Sequence, residues 1–158
     1  MEKKIIFISQ NGNETSFNIT EVHSCTQLDN NWIKISSPSV ASFKKTFLRI
    51  KTTEEQYYYF ILNNVFIENI NETISVHYYG KFSQYVYDKY IEKDLMISYR
   101  DKINELNSKI KYFESLKQLN IASNTFEKIK EFKDELYLYK ALFDFSIKLV
   151  YEKEYDEK

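Results

Sequence analysis

Glycine, proline, cysteine and histidine are nearly missing from this chain, whose 158 residues hold two Gly, one Pro, one Cys and two His. With Gly12 and Gly80 as the only glycines, neither a phosphate-cradling loop nor a dinucleotide fingerprint can be written. His23 and His77 leave little material for a general base held beside a nucleophile, so common hydrolase and transferase chemistry is not expected. The single Cys25 cannot close an internal disulfide and supplies too few thiolates for structural zinc, which points to a reducing compartment. Long apolar runs are missing as well. After Lys3 and Lys4, the run Ile5 to Ile8 is too short for a secretory signal, and no stretch approaches a membrane span. The expectation is a cytoplasmic protein with no membrane association, no cofactor and no metal.

What is present is aromatic and lysine-rich. Aromatics make up 17% of the chain, apolar residues 43% and charged residues 28%, enough apolar material to offset the entropy of ordering a core. Phe, Tyr, Met, Ile, Asn and Lys total 79 residues, whereas Gly, Ala, Arg and Pro total 8. The first set has AT-rich codons and the second GC-rich ones, which suggests an AT-rich genome such as that of a low-GC bacterium or its mobile elements. The net charge of −1 argues against a bulk polyanion binder.

Residues 1–80 carry short apolar runs separated by turn signals, the pattern of strands. Lys4–Ser9 and Thr15–Thr20 flank the Asn11-Gly12 pair as a hairpin, and Trp32–Ser36 alternates again. Phe47–Thr52, Gln56–Leu62, Val65–Ile70 and Thr73–Tyr79 read as a meander, divided at Thr53–Glu55, Asn63-Asn64 and Asn71-Glu72. Ser37 before Pro38 is placed to cap a short helix through Val40, Phe43 and Phe47.

After Gly80 the apolar period changes to three and a half. Met96, Tyr99, Ile103, Leu106, Ile110 and Phe113 form one seam; Ile129, Phe132, Leu136, Tyr139, Phe143 and Val150 form another. Phe113 with Phe132, Leu106 with Tyr139 and Met96 with Val150 have sums of 245 or 246, as an antiparallel pair requires. Leu119–Asn124 is the connection, and Asn124 with Glu127 fits a capping box. The expected fold is therefore α+β: an antiparallel β-meander over 1–80, as a small sheet, sandwich or barrel, then a long coiled-coil-like helical hairpin over 81–158.

Two features bear on function. From Asn30 to Thr53 there is no acidic residue, while Lys34, Lys44, Lys45, Arg49 and Lys51 contribute +5, interleaved with Trp32, Phe43 and Phe47. Such a strip suits an acidic protein surface or single-stranded nucleic acid, although edge lysines also guard sheets against aggregation. Tyrosines 57 to 59, 78, 79, 85, 87 and 90 cluster where sheet meets helix, and tyrosine is favoured in binding hot spots. The partner-binding residues assigned on these grounds are Lys34, Lys44, Lys45, Arg49, Lys51, Tyr57, Tyr59 and Tyr79. His77 reads as a surface histidine, Cys25 as a buried structural thiol, and Glu131-Phe132-Lys133 as helix seam rather than nuclease motif.

In size and composition over the whole chain, the protein resembles small inhibitors carried by phages and other mobile elements, such as anti-CRISPR proteins. That resemblance rests on no aligned residue. It implies a non-catalytic protein that blocks a host nuclease or ribonucleoprotein defence complex by direct binding. The alternative is an RNA-binding or scaffolding module that uses the strip at 34–51, with an enzyme of unusual metal-dependent nuclease type ranked below both. The expected partner is a protein or ribonucleoprotein, with direct RNA contact and homodimerisation through the helical arm as further options.

Overall fold

The computed structural model describes residues 2–120 and 124–153. β1 (Lys3–Ser9) and β2 (Glu14–Ser24) form the N-terminal hairpin. Its turn closes by a bond from the Gly12 N–H to the Ser9 carbonyl at 2.9 Å, with Gly12 at φ 82°, a conformation glycine adopts without steric cost. β3 (Ile33–Lys34), β4 (Ser39–Thr52), β5 (Tyr57–Ile70) and β6 (Thr73–Tyr79) follow. Asn71 and Glu72, both at positive φ, make the two-residue turn between β5 and β6.

Taken in order, β1, β2, β4, β5 and β6 are each antiparallel to the next, and β6 returns to β1. Five alternating strands leave the first and fifth running in the same direction, so the closing pair must be parallel. It is, from Lys4 opposite Thr73 to Ser9 opposite Tyr78. This closed five-stranded barrel is filled by Ile5, Phe7, Ile19, Val22, Leu48, Ile50, Phe60, Leu62, Val65, Ile67, Ile74, Val76, Tyr78 and Phe82.

Two β-bulges decide which residues face out. The β2–β4 register slips between Ile19 and Glu21, and the β5–β6 register slips between Asn63 and Phe66. Each slip changes the parity of the inward face, as one extra residue must. On β2 the core positions pass from Phe17 and Ile19 to Val22; on β5 they pass from Phe60 and Leu62 to Val65 and Ile67, and β4, in constant register with β5, passes with it from Ile50 and Leu48 to Phe43. Asn63-Asn64, expected to be a turn, is therefore a bulge inside one continuous strand, with Asn64 at φ 49°. The short helix expected after Ser37 is also replaced by strand, since β4 pairs with β5 from Ser39–Asn69 to Lys51–Tyr57. Val40, Phe43, Thr46 and Phe47 are strand formers, and this pairing gives their backbone groups partners along the whole length.

The segment after Gly80 differs from the expected hairpin. β7 (Phe82–Tyr87) pairs with β5, placing Tyr59 opposite Tyr85. Then come α1 (Lys93–Gln118) and α2 (Thr125–Asp144), and β8 (Ile147–Lys153) lies beside β7. The chain divides into two compact units, Met1–Tyr87 with Lys148–Lys158, and Asp88–Ile147. The boundary thus falls beyond the expected residue 80, and the C-terminal strand belongs with the barrel unit. α2 stops at Asp144, short of Val150, the last position of the expected seam, because Ser146 takes a left-handed turn at φ 50°.

Within the helical unit α1 and α2 run antiparallel. The Phe113 and Phe132 rings lie 5.5 Å apart, as the pairing sums required. Towards the other end Tyr139 meets Tyr99 at 6.0 Å, about two turns beyond the Leu106 position expected for it. Val150 lies in β8, so the expected pair with Met96 is not a helix seam contact. Asn124 is the N-cap of α2, but its side chain makes no capping bond, so the capping box is not formed. Part of the Leu119–Asn124 connection lies outside the described residues. At the base of the unit, the Asp88 N–H donates to the Ser146 carbonyl at 2.9 Å. Among the described residues, no helix is long and apolar enough to cross a membrane.

Candidate binding face

Beyond its bulge, β2 turns Glu21 and His23 to the outside of the barrel, while Val22 and Ser24 face in. Leu48 and Ile50 fix the inward parity of β4, so Phe47, Arg49 and Lys51 face out; Phe60 does the same for Tyr57 and Tyr59 on β5. Register then sets a row across five strands: Lys34, His23, Arg49, Tyr59 and Tyr85. The neighbouring row is Glu21, Lys51 and Tyr57.

The loop after β2 folds back over these rows. The Cys25 N–H donates to the Phe47 carbonyl at 2.8 Å, and the Leu28 N–H to the Cys25 carbonyl at 3.1 Å. The Asn31 N–H then donates to Asp29 Oδ1, and the Trp32 indole N–H to Asn30 Oδ1, both at 3.0 Å. Trp32 is thereby laid on the sheet, 5.3 Å from the Phe47 ring and 6.0 Å from Tyr59; Phe47 and Tyr59 stack at 5.6 Å. Cys25 is buried, its thiol pKa pushed up by loss of solvent, in keeping with a structural role.

Arg49 occupies the centre. Its guanidinium carbon is 4.3 Å from the Trp32 ring centre and 5.7 Å from that of Tyr57, and the Lys51 ammonium is also 5.7 Å from Tyr57. These are cation–π distances. Burial pushes the Tyr59 phenol above its usual pKa, partly opposed by the charge of Arg49 beside it. Arg49 Nε and His23 Nδ1 are both buried and make no hydrogen bond among the described residues.

Of the residues assigned from sequence, Arg49, Lys51, Tyr57 and Tyr59 come together here, with Lys34 exposed at the end of the row. Lys44, Lys45 and Tyr79 form a second group. Lys45 lies opposite Asn63, which lies opposite Tyr79, four residues along β4 from Arg49, or about 13 Å. His23 and Glu21 were not assigned, and Glu21 places an acid opposite Lys51, which the acid-free window from Asn30 concealed. His77 is on the outer surface, 6.2 Å from the Phe66 ring. Among the described residues, no three His, Cys, Asp or Glu side chains converge as metal ligands would.

The family model described as the UU051 N-terminal domain matches residues 3–83, just over half of the chain. The chain belongs to this family. The part that is UU051 N-terminal domain takes in all five barrel strands, the Trp32 loop and every assigned contact residue, and it ends inside β7 before Tyr85. No curated protein matches the chain.

The His23 row of this UU051 domain has a pH signature. Burial, then the positive charge of Arg49, lower the pKa of His23 below 6.5; Glu21 opposes this and Lys34 adds to it. As pH falls below 6.5, the unfolded chain takes up this proton before the folded one does, so stability drops across the window between the two values and the effect is absent above it. NMR should give a His23 midpoint below 6.5, and His23→Gln should flatten the fall in melting temperature between pH 7 and pH 5. Equal pH slopes for the variant and the parent would refute the assignment.

Proposed function

We propose that the protein is a non-catalytic binding protein whose contact surface is the face built from Trp32, Arg49, Lys51, Tyr57 and Tyr59. One observation carries the reading: the Arg49 guanidinium lies at cation–π distance from two aromatic rings, 4.3 Å from Trp32 and 5.7 Å from Tyr57. A guanidinium placed in this way is a pre-oriented planar donor for carboxylate or phosphate, and little side-chain entropy remains to be lost when a partner binds. Trp, Tyr and Arg are also the residues most enriched in binding hot spots. An acidic protein surface suits the face better than a phosphate track, because Glu21 stands opposite Lys51 and the chain as a whole carries −1. The target is a protein or ribonucleoprotein, occluded in the manner of the small mobile-element inhibitors that the chain resembles in size and composition. The stacking of cations on Trp32 and Tyr57 favours single-stranded RNA as the second reading.

Affinity capture from the native host, followed by titration of the captured partner, tests both. Trp32→Ala and Arg49→Ala should each weaken the complex by about tenfold or more. Replacing Lys44, Lys45, Arg49 and Lys51 together with Gln should weaken it further without unfolding the barrel, because these changes lie on its outer surface. Affinity for naked single-stranded RNA would fall steeply with salt if phosphates were the contact, whereas a protein contact through tyrosines should respond far less. Unchanged affinity in all three variants, for partner and RNA alike, would reduce the strip to edge protection.

A further inference from the structure

The eight-stranded sheet ends differently on its two sides. At one end β3 has two residues, too few to template another strand. At the other end β8 has seven residues, with no Gly, Pro or left-handed residue, and β7 is its one sheet neighbour among the described residues. Leu149, Val150 and Tyr151 are 46%, 47% and 46% exposed at consecutive positions, so apolar side chains cover both faces of the strand. The strand is anchored by contacts with Lys81, Phe82 and Ser83. Tyr151 meets the Phe82 ring at 6.1 Å, and Glu152 accepts from Ser83 at 3.0 Å and pairs with Lys81 at 2.7 Å. An open, extended, apolar edge of this kind is a template for pairing with another chain.

We propose that β8 is the interface between two copies of this chain, paired antiparallel about a two-fold axis at Val150. Within Ile147–Lys153 its sequence is self-complementary in that register. With Val150 opposite Val150 of the second copy, Lys148 meets Glu152 and Leu149 meets Tyr151, giving opposite charges on one face and aliphatic–aromatic pairs on the other. A slip of one position sets Lys148 against Lys153 in one direction and Glu152 against Ile147 in the other, so neither keeps the Lys148–Glu152 pair. A closed two-fold pairing uses the same edge of both copies and leaves none exposed, which an open-ended contact would not. The proposal is independent of the Arg49 face and differs from dimerisation through the helices.

The test uses the full chain. Sedimentation velocity from micromolar to the highest soluble concentration should show a monomer–dimer equilibrium. Val150→Lys places like charges opposite each other and should raise the dissociation constant about tenfold or more, with an unchanged circular dichroism spectrum. Oxidised Val150→Cys should yield a covalent dimer, because Cβ atoms directly opposite lie ~4.5–5.5 Å apart, whereas Leu149→Cys should not. Cys25 is buried and supplies no competing crosslink. A monomer at every concentration would overturn the proposal. So would a dimer that Val150→Lys leaves intact, or one that crosslinks through cysteines placed on α1 or α2 but not at 150.

Discussion

Phe60→Ala should destabilise the barrel by roughly 3–5 kcal/mol, the range for removing a large buried aromatic. Phe60 is fully buried, and its ring lies 4.5 Å from Phe7, 5.8 Å from Phe17 and 5.5 Å from Phe82. Side chains from β1, β2, β5 and β7 therefore meet at this one ring. Neighbours on separate hydrogen-bonded strands cannot close in without breaking ladders, so much of the cavity persists. Against a typical domain stability of about 5–15 kcal/mol, the loss is a large fraction of the total. Guanidinium unfolding followed by fluorescence of Trp32, the single tryptophan, measures it. Phe66→Ala removes the same ring from the outer surface, where it is 40% exposed, and should shift the midpoint far less. Equal shifts for the two would show that Phe60 does not centre the core.

The strands around Phe60 were legible where local rules dominate. The Asn11-Gly12 and Asn71-Glu72 turns need left-handed residues, and alternation marks β1 and β6 directly. Asn63-Asn64 carries the same signal as a turn, yet the strand runs through it, because a bulge also needs a left-handed residue and the choice depends on what lies alongside. Closure was hidden for a similar reason, since the parallel β1–β6 pair joins segments distant in sequence. At the C-terminal side, Val150 stands one heptad after Phe143 and continues the helical period by coincidence. The actual stop, at Ser146, uses a residue that gives no breaker signal where glycine or asparagine is usual.

Site residues were legible to the extent that they were consecutive along one strand. Arg49 and Lys51 alternate outward on β4, and Tyr57 and Tyr59 alternate outward on β5, so a tight β4–β5 turn brings them together. Lys44 and Lys45 follow the same charge pattern but stand where β4 changes parity, about 13–17 Å along the strand from Arg49. His23 and Glu21 reach the face only because the β2 bulge shifts them outward. Charge counts along the chain cannot register that shift. The strip of five cations is thus two smaller groups, one of them tempered by Glu21.

Leu106→Asp should abolish the helical unit while leaving the barrel folded. Leu106 is fully buried on α1, and few other residues of the two helices are: Ile110, Thr125, Ile129, Ala141 and Leu142. A carboxylate at this position takes the place of a fully buried aliphatic side chain, and burying a charge costs several kcal/mol. The surface ion pairs cannot compensate. Glu105–Lys109 at 2.8 Å and Lys133–Glu114 at 3.5 Å are solvent-exposed and contribute little. A two-helix unit with so small a core has no margin for such a loss. Far-UV circular dichroism at 222 nm should therefore collapse, while Trp32 fluorescence and its guanidinium midpoint stay near the parent values, because Trp32 belongs to the other compact unit. Leu106→Ala should give an intermediate result, with the helical melting temperature lowered but helicity retained at low temperature. If Leu106→Asp keeps both its helicity and its melting temperature, Leu106 is not a core position and the packing of α1 on α2 is wrong. If Trp32 fluorescence collapses together with the helical signal, the two units do not fold independently.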